Sequence, residues 1–113
     1  MPYIHTKVSV PLSPEKENML KTKLGEVIAI LPGKSESWLM LEFEDNCRLY
    51  FKGDSSPLAF VEVKLFGASS PAAYENMTGA VTALLHEELG IEPANIYVAY
   101  EELSTWGWNG RNL

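Results

Sequence analysis

Residues 70–90, SPAAYENMTGAVTALLHEELG, restate the punctuation of residues 13–33, SPEKENMLKTKLGEVIAILPG; each stretch opens on Ser-Pro and closes on Gly. Serine before a helix caps its free N–H groups, and proline at the first helical position loses nothing, because that N–H has no partner there. In the first stretch Leu20, Leu24, Val27, Ile28 and Leu31 recur at helical spacing, and in the second Met77, Val81, Leu84 and Leu85 do the same. Pro32-Gly33 ends one helix and Gly90 the other. Ser13 and Ser70, like Gly33 and Gly90, stand 57 positions apart, so the chain carries an internal repeat.

The repeat extends outward in both directions at the same offset. Residues Tyr3 to Val10 alternate, with Ile4, Thr6, Val8 and Val10 on one face and Tyr3, His5, Lys7 and Ser9 on the other, which predicts a strand. Phe60 to Gly67 alternates with the same parity. Trp38 to Glu44 predicts the closing strand of the first unit, and Leu39, Leu41 and Phe43 reappear as Ile96, Val98 and Tyr100. Short extra strands are expected over Cys47 to Phe51 and in the tail around Trp106 to Gly110. The fold class is α/β (α+β): one domain, 1–113, of two pseudo-symmetric β-α-β repeats, about 2–44 and 59–101. They form a four-stranded mixed sheet with both helices on one face.

The sheet face away from the helices then carries Tyr3, His5, Lys7, Met40, Glu42, Phe60, Glu62, Lys64, Phe66, Tyr97, Ala99 and Glu101. Sheets of this kind are normally covered on both sides, and the chain has no further element to do it. Neighbouring subunits, set as a small ring of sheets with charges paired across a narrow wet lumen, are the expected cover.

Composition excludes several function classes. A net charge of −6 argues against a nucleic-acid partner, which needs clustered Lys and Arg. The single cysteine, Cys47, allows no intrachain disulfide, CxxC motif or thiolate cluster. No apolar run is long enough for membrane insertion, and the opening residues lack a signal peptide, so the expected compartment is the cytoplasm. No Ser/His/Asp set, phosphate loop or metal-ligand spacing is present, and neither a metal nor a cofactor is expected. His5 and His86 are weak candidates for chemistry.

The remaining candidate is the chain start. Pro2 is small enough for initiator methionine to be trimmed, which would leave a secondary amine. An α-amino group has an ordinary pKa near 8, and desolvation beside a cation lowers it toward the range a general base needs. In a β-α-β unit the residue leading into the second strand shares a sheet edge with the start of the first, which brings Lys34 to Pro2. Antiparallel pairing of the two repeats brings Phe66 there as well. Tyr97 goes to the opposite edge and can reach Pro2 only from a neighbouring subunit. Tyr3, Trp38 and Trp108 supply further aromatic walls.

Met1-Pro2, Gly33-Lys34, the Ser56-Pro57 turn, Phe66-Gly67, Ile96-Tyr97 and Gly107-Trp108-Asn109 together resemble the macrophage migration inhibitory factor family of the tautomerase superfamily. The resemblance spans essentially the whole chain. It implies a homotrimer, a catalytic Pro2, and keto–enol tautomerisation of aromatic 2-oxo acids such as phenylpyruvate, and of dopachrome-type compounds. Lys34 and the Phe66 amide would bind the substrate acid group, with Tyr97 lining the site from the next subunit. The alternative is a cytokine-like ligand for a host cell-surface receptor, reached by secretion without a signal peptide. Ala99 stands where the mammalian cytokine has an asparagine, Leu58-Ala59-Phe60-Val61 where it has CxxC, and Arg111-Asn112-Leu113 lacks the family's closing aromatic.

Overall fold

The computed structural model describes residues 1–113. Strand β1 (Pro2–Val8) leads to helix α1 (Pro14–Val27) and strand β2 (Met40–Glu44). Strand β3 (Ala59–Phe66), helix α2 (Pro71–Leu89) and strand β4 (Ile96–Leu103) follow, and a small hairpin, β5 (Gly107–Trp108) with β6 (Arg111–Asn112), closes the chain. The sheet order is β2-β1-β3-β4. Within each repeat the strands run parallel, β1 with β2 and β3 with β4, while β1 and β3 pair antiparallel at the centre. The sheet is therefore mixed, with β2 and β4 at its edges.

The helix starts follow the sequence logic in both repeats. Ser13 Oγ accepts from the Lys16 N–H and Ser70 Oγ from the Ala73 N–H, each at 3.1 Å, with Pro14 and Pro71 opening the helices. Such caps stabilise a helix by about 1 kcal/mol. α2 ends at Gly90, whose left-handed φ of 68° lets its N–H reach the His86 carbonyl at 2.9 Å. α1 ends differently, tightening into a 3-10 turn over Ile28–Ile30.

Both helices bury their apolar stripes on one face of the sheet. Ile4 and Val8 of β1, Val61, Val63 and Leu65 of β3, Leu20, Leu24 and Ile28 of α1 and its extension, and Met77, Val81 and Leu85 of α2 form one core. Period-two burial in β3, where Val61, Val63 and Leu65 are fully buried between half-exposed neighbours, is the alternation that the repeat predicts.

Four details depart from the sequence expectation. β1 stops at Val8 rather than Val10, because Ser9 turns aside to exchange hydrogen bonds with Leu58: its N–H donates to the Leu58 carbonyl at 3.0 Å, and its Oγ accepts from the Leu58 N–H at 2.9 Å. β2 starts at Met40 rather than Trp38, since Glu36–Trp38 forms a 3-10 turn. That turn has its own counterpart at Pro93–Asn95, again 57 positions on. Cys47 to Phe51 is no strand: Cys47 donates its N–H to the Val8 carbonyl at 3.0 Å, and Phe51 only bridges Asp54 around a turn with left-handed Lys52 and Gly53. In the tail, Asn109 and Gly110 both have positive φ, 53° and 79°, the geometry of a tight two-residue hairpin, and pair Gly107–Trp108 with Arg111–Asn112.

Candidate active site

Three backbone segments converge where β1 begins. Pro2 is buried opposite Leu65 in the antiparallel register. One residue further along β3, the Phe66 N–H donates to the Met1 carbonyl at 3.1 Å, and Gly67, with φ of 89°, ends the strand by donating to the Leu103 carbonyl at 2.9 Å. The third segment is the turn after α1. Pro32 and Gly33 occupy its centre, Gly33 at φ of 80°, and the Lys34 N–H closes it onto the Leu31 carbonyl at 3.0 Å. Proline then a glycine of positive φ is the sequence such a turn favours. It delivers the Lys34 ammonium to the Phe66 carbonyl, 2.8 Å away. Pro2, Lys34 and Phe66 thus meet within one chain.

This corner is electropositive and partly closed to water. The Met1 amino group has its pKa lowered below the ordinary value, first by burial and then by the neighbouring Lys34 charge. While Met1 is attached, the Pro2 nitrogen is an amide whose lone pair is delocalised into a carbonyl, and it has no useful basicity.

A cleft of about 660 Å³ opens beside the corner, lined by Met1, Pro2, Tyr3, Trp38, Met40 and Trp108 among others. Its volume lies in the range of small-molecule sites. Trp38 and Trp108 meet edge to face with ring centroids 5.0 Å apart, so the 3-10 turn before β2 and the closing hairpin build one aromatic wall. Lys64, which pairs with Tyr3 across β1 and β3, also lines this cleft. Neither Lys64 nor Met40 stands out as a site residue in the sequence. Their parity with Tyr3 is the one signal that could have found them.

Tyr97 lies elsewhere. It pairs with Phe60 at the far end of β3 and stacks edge-on against Phe51, centroids 5.0 Å apart. There it lines a second, apolar hollow with Tyr50, Leu58, Ala59 and Phe60. The 57-residue offset relates the two hollows: Met1, Pro2, Tyr3 and Met40 of the first correspond to Leu58, Ala59, Phe60 and Tyr97 of the second. The same corner is built twice, once at the chain start and once where the chain runs through.

The two histidines take separate environments. His86 Nδ1 lies 3.0 Å from the Ile91 carbonyl at the end of α2, remote from the cleft in sequence and role. His5 lies on the sheet face away from the helices, opposite Glu42 in the β1–β2 register, and Lys7 on the same face donates to Glu62 at 3.2 Å.

Duplicated β-α-β units sharing one mixed sheet, with a proline corner at the chain start, define the tautomerase class of α/β folds. The family model for macrophage migration inhibitory factor (MIF) matches residues 1–113, and the chain belongs to that family. Among solved structures it is similar to Leishmania major MIF2, at 34% identity over 100% of this chain and 97% of that one, with a TM-score of 0.93. A MIF homologue from Prochlorococcus marinus is 29% identical over 97% of each chain, with a TM-score of 0.82. A MIF homolog from Brugia malayi is 26% identical over 112 residues, 97% of this chain and 96% of the relative. No helix is long and apolar enough to cross a membrane.

Proposed function

We propose that this protein is a cofactor-free keto–enol tautomerase of aromatic 2-oxo acids of the phenylpyruvate type, with Pro2 as general base once Met1 is removed. The observation that carries the reading is the Met1 carbonyl on the Phe66 N–H, beside the Lys34 ammonium. Removal of Met1 frees that N–H and leaves a secondary amine in the same electropositive, partly desolvated corner. Burial and the Lys34 charge, which lower the Met1 amine, then favour the neutral, proton-accepting form of the Pro2 amine.

In the forward direction the amine takes a proton from C3 of the keto acid. The C–H electron pair becomes the C2–C3 double bond, and the carbonyl π pair moves to the C2 oxygen, which takes up a proton to give the enol. Lys34 and the Phe66 N–H hold the carboxylate, and Tyr3, Trp38 and Trp108 contact the ring. No electrons are gained or lost, so no cofactor is required.

The active assembly in this reading is a homotrimer. Large apolar side chains are exposed at both sheet edges: Trp38, Met40 and Trp108 on the β2 side, Tyr50 and Tyr97 on the β4 side. Two unlike sticky edges on one chain suit a head-to-tail contact that closes into a ring. Such a contact carries Tyr97 of one chain to the Pro2 cleft of the next.

The test uses protein of known intact mass, with and without Met1, in a phenylpyruvate tautomerase assay. Trimmed protein should be active, Met1-bearing protein nearly inactive, and Pro2→Ala in the trimmed form should lose much of the rate. Equal rates with and without Met1 would end the case for Pro2 as the base.

A further inference from the structure

We propose that His5, Glu42 and Glu44 form a binding site for a divalent transition-metal ion, with Zn²⁺ the best match to the donors. The site lies on the sheet face away from the helices and is independent of the Pro2 corner. His5 Nε2 is 2.5 Å from Glu44 Oε1 and 3.9 Å from Glu42 Oε2, and the three donor atoms lie within 4.8 Å of one another.

The histidine singles this cluster out from ordinary surface carboxylates. His5 is only 9% exposed, and its Nε2 is buried with no hydrogen-bond partner. The Glu44 oxygen is close, yet it lies off the direction in which the ring nitrogen can donate, so the contact does not satisfy it. An orphaned buried ring nitrogen facing two carboxylates is costly unless something sits between them. A cation bound by all three removes that cost.

The dimensions fit. Zinc takes imidazole nitrogen and carboxylate oxygen at about 2.0–2.2 Å, so neighbouring donors in a tetrahedral site stand roughly 3.3 Å apart. The two observed separations straddle that value, and rotation of the exposed Glu44 carboxylate lengthens the shorter one. The surroundings are arranged for it. The Tyr3 hydroxyl donates to Glu42 Oε1, which leaves Oε2 turned toward His5 and fixes the carboxylate from behind. Lys7, a cation on this face, is drawn to Glu62 on β3 at 3.2 Å. One N and two O donors suit zinc better than magnesium or calcium, which prefer all-oxygen shells. Three protein ligands leave the fourth position to water.

The full-length chain, stripped with chelator and titrated with Zn²⁺ against a chromophoric competitor near pH 7.5, should take up one ion per chain. Co²⁺ should give the visible absorption of a tetrahedral N/O site. Binding should weaken at least about tenfold in His5→Gln, Glu44→Gln and Glu42→Gln, and be unchanged in Cys47→Ser and His86→Gln. The two glutamates are exposed, so their variants carry the test if His5→Gln does not fold. No saturable uptake, uptake indifferent to Glu42→Gln and Glu44→Gln, or loss of uptake in Cys47→Ser or His86→Gln would overturn the assignment.

Discussion

Replacing Lys34 by alanine separates the structural job of its ammonium from the binding job proposed for it. In the free protein Lys34 Nζ donates to the Phe66 carbonyl at 2.8 Å in a partly buried position. Its loss should lower stability by about 1 kcal/mol, near the usual net value for a hydrogen bond. Its second job, in the proposed reaction, is to hold the substrate carboxylate. Hydrogen bonds to charged groups are worth about 1.5–3 kcal/mol, and each 1.4 kcal/mol is a factor of ten, so KM for phenylpyruvate should rise by roughly 10–100-fold. The turnover number should fall much less, because the carboxylate carries the same charge in the ground and transition states, which makes the interaction uniform binding. The assay is steady-state tautomerisation by trimmed wild type and Lys34→Ala, run on phenylpyruvate and on its neutral methyl ester. The ester has no carboxylate to lose and reports any loosening of the Phe66 corner by itself. An unchanged KM for the acid, or an equal rise for acid and ester, would refute the assignment of Lys34 to the acid group.

Light scattering at micromolar concentration should give the mass of a trimer, and a stable monomer would reject both the ring and the cross-chain role of Tyr97. Ser70→Ala should cost about 1 kcal/mol in denaturant unfolding, since the Ala73 N–H loses its cap acceptor; no change would mean that the cap is replaced by water. Leu65→Ala, at a fully buried position in the central strand, should cost about 2–5 kcal/mol by the same measurement, and a loss below 1 kcal/mol would imply that the core closes over the cavity. In alkaline titration Tyr3 should ionise late: its hydrogen bond to Glu42, then desolvation and the nearby carboxylates, push its pKa up to about 12. Because the folded value is raised, Tyr3's contribution to stability is whole below its ordinary pKa of about 10 and is lost as pH rises through 12. Glu42→Gln should bring one phenolate transition down in pH, and an unmoved titration curve would contradict that cause.

Much of the fold was legible because its punctuation is local. Ser-Pro caps and left-handed glycines act within a few residues, so Ser13, Ser70, Gly33 and Gly90 mark their elements without reference to the rest of the chain. The misplaced boundaries depend on distant partners. Val10 alternates as a strand residue should, but Ser9 is captured by Leu58, nearly fifty positions away. Trp38 has strand-like parity, yet a turn holds it against Trp108 from the far end of the sequence. At the candidate site, the shared edge of Pro2, Lys34 and Phe66 followed from topology alone. Lys64 and the His5, Glu42 and Glu44 cluster did not, because their proximity depends on cross-strand register, which no spacing along the chain encodes.

The doubled corner fixes a stoichiometry. Duplicating a β-α-β unit within one polypeptide copies every strand, cap and turn, but a polypeptide has a single beginning. Ala59 therefore holds the place of Pro2 with an ordinary peptide bond behind it, and that copy can never expose an amine however closely its shape matches. Its hollow is walled by Tyr50, Phe51 and Tyr97, an apolar surface suited to holding rather than reacting. An electrophilic label directed at the terminal nitrogen of the processed protein should accordingly saturate at one equivalent per chain, although the fold presents two corners of the same architecture.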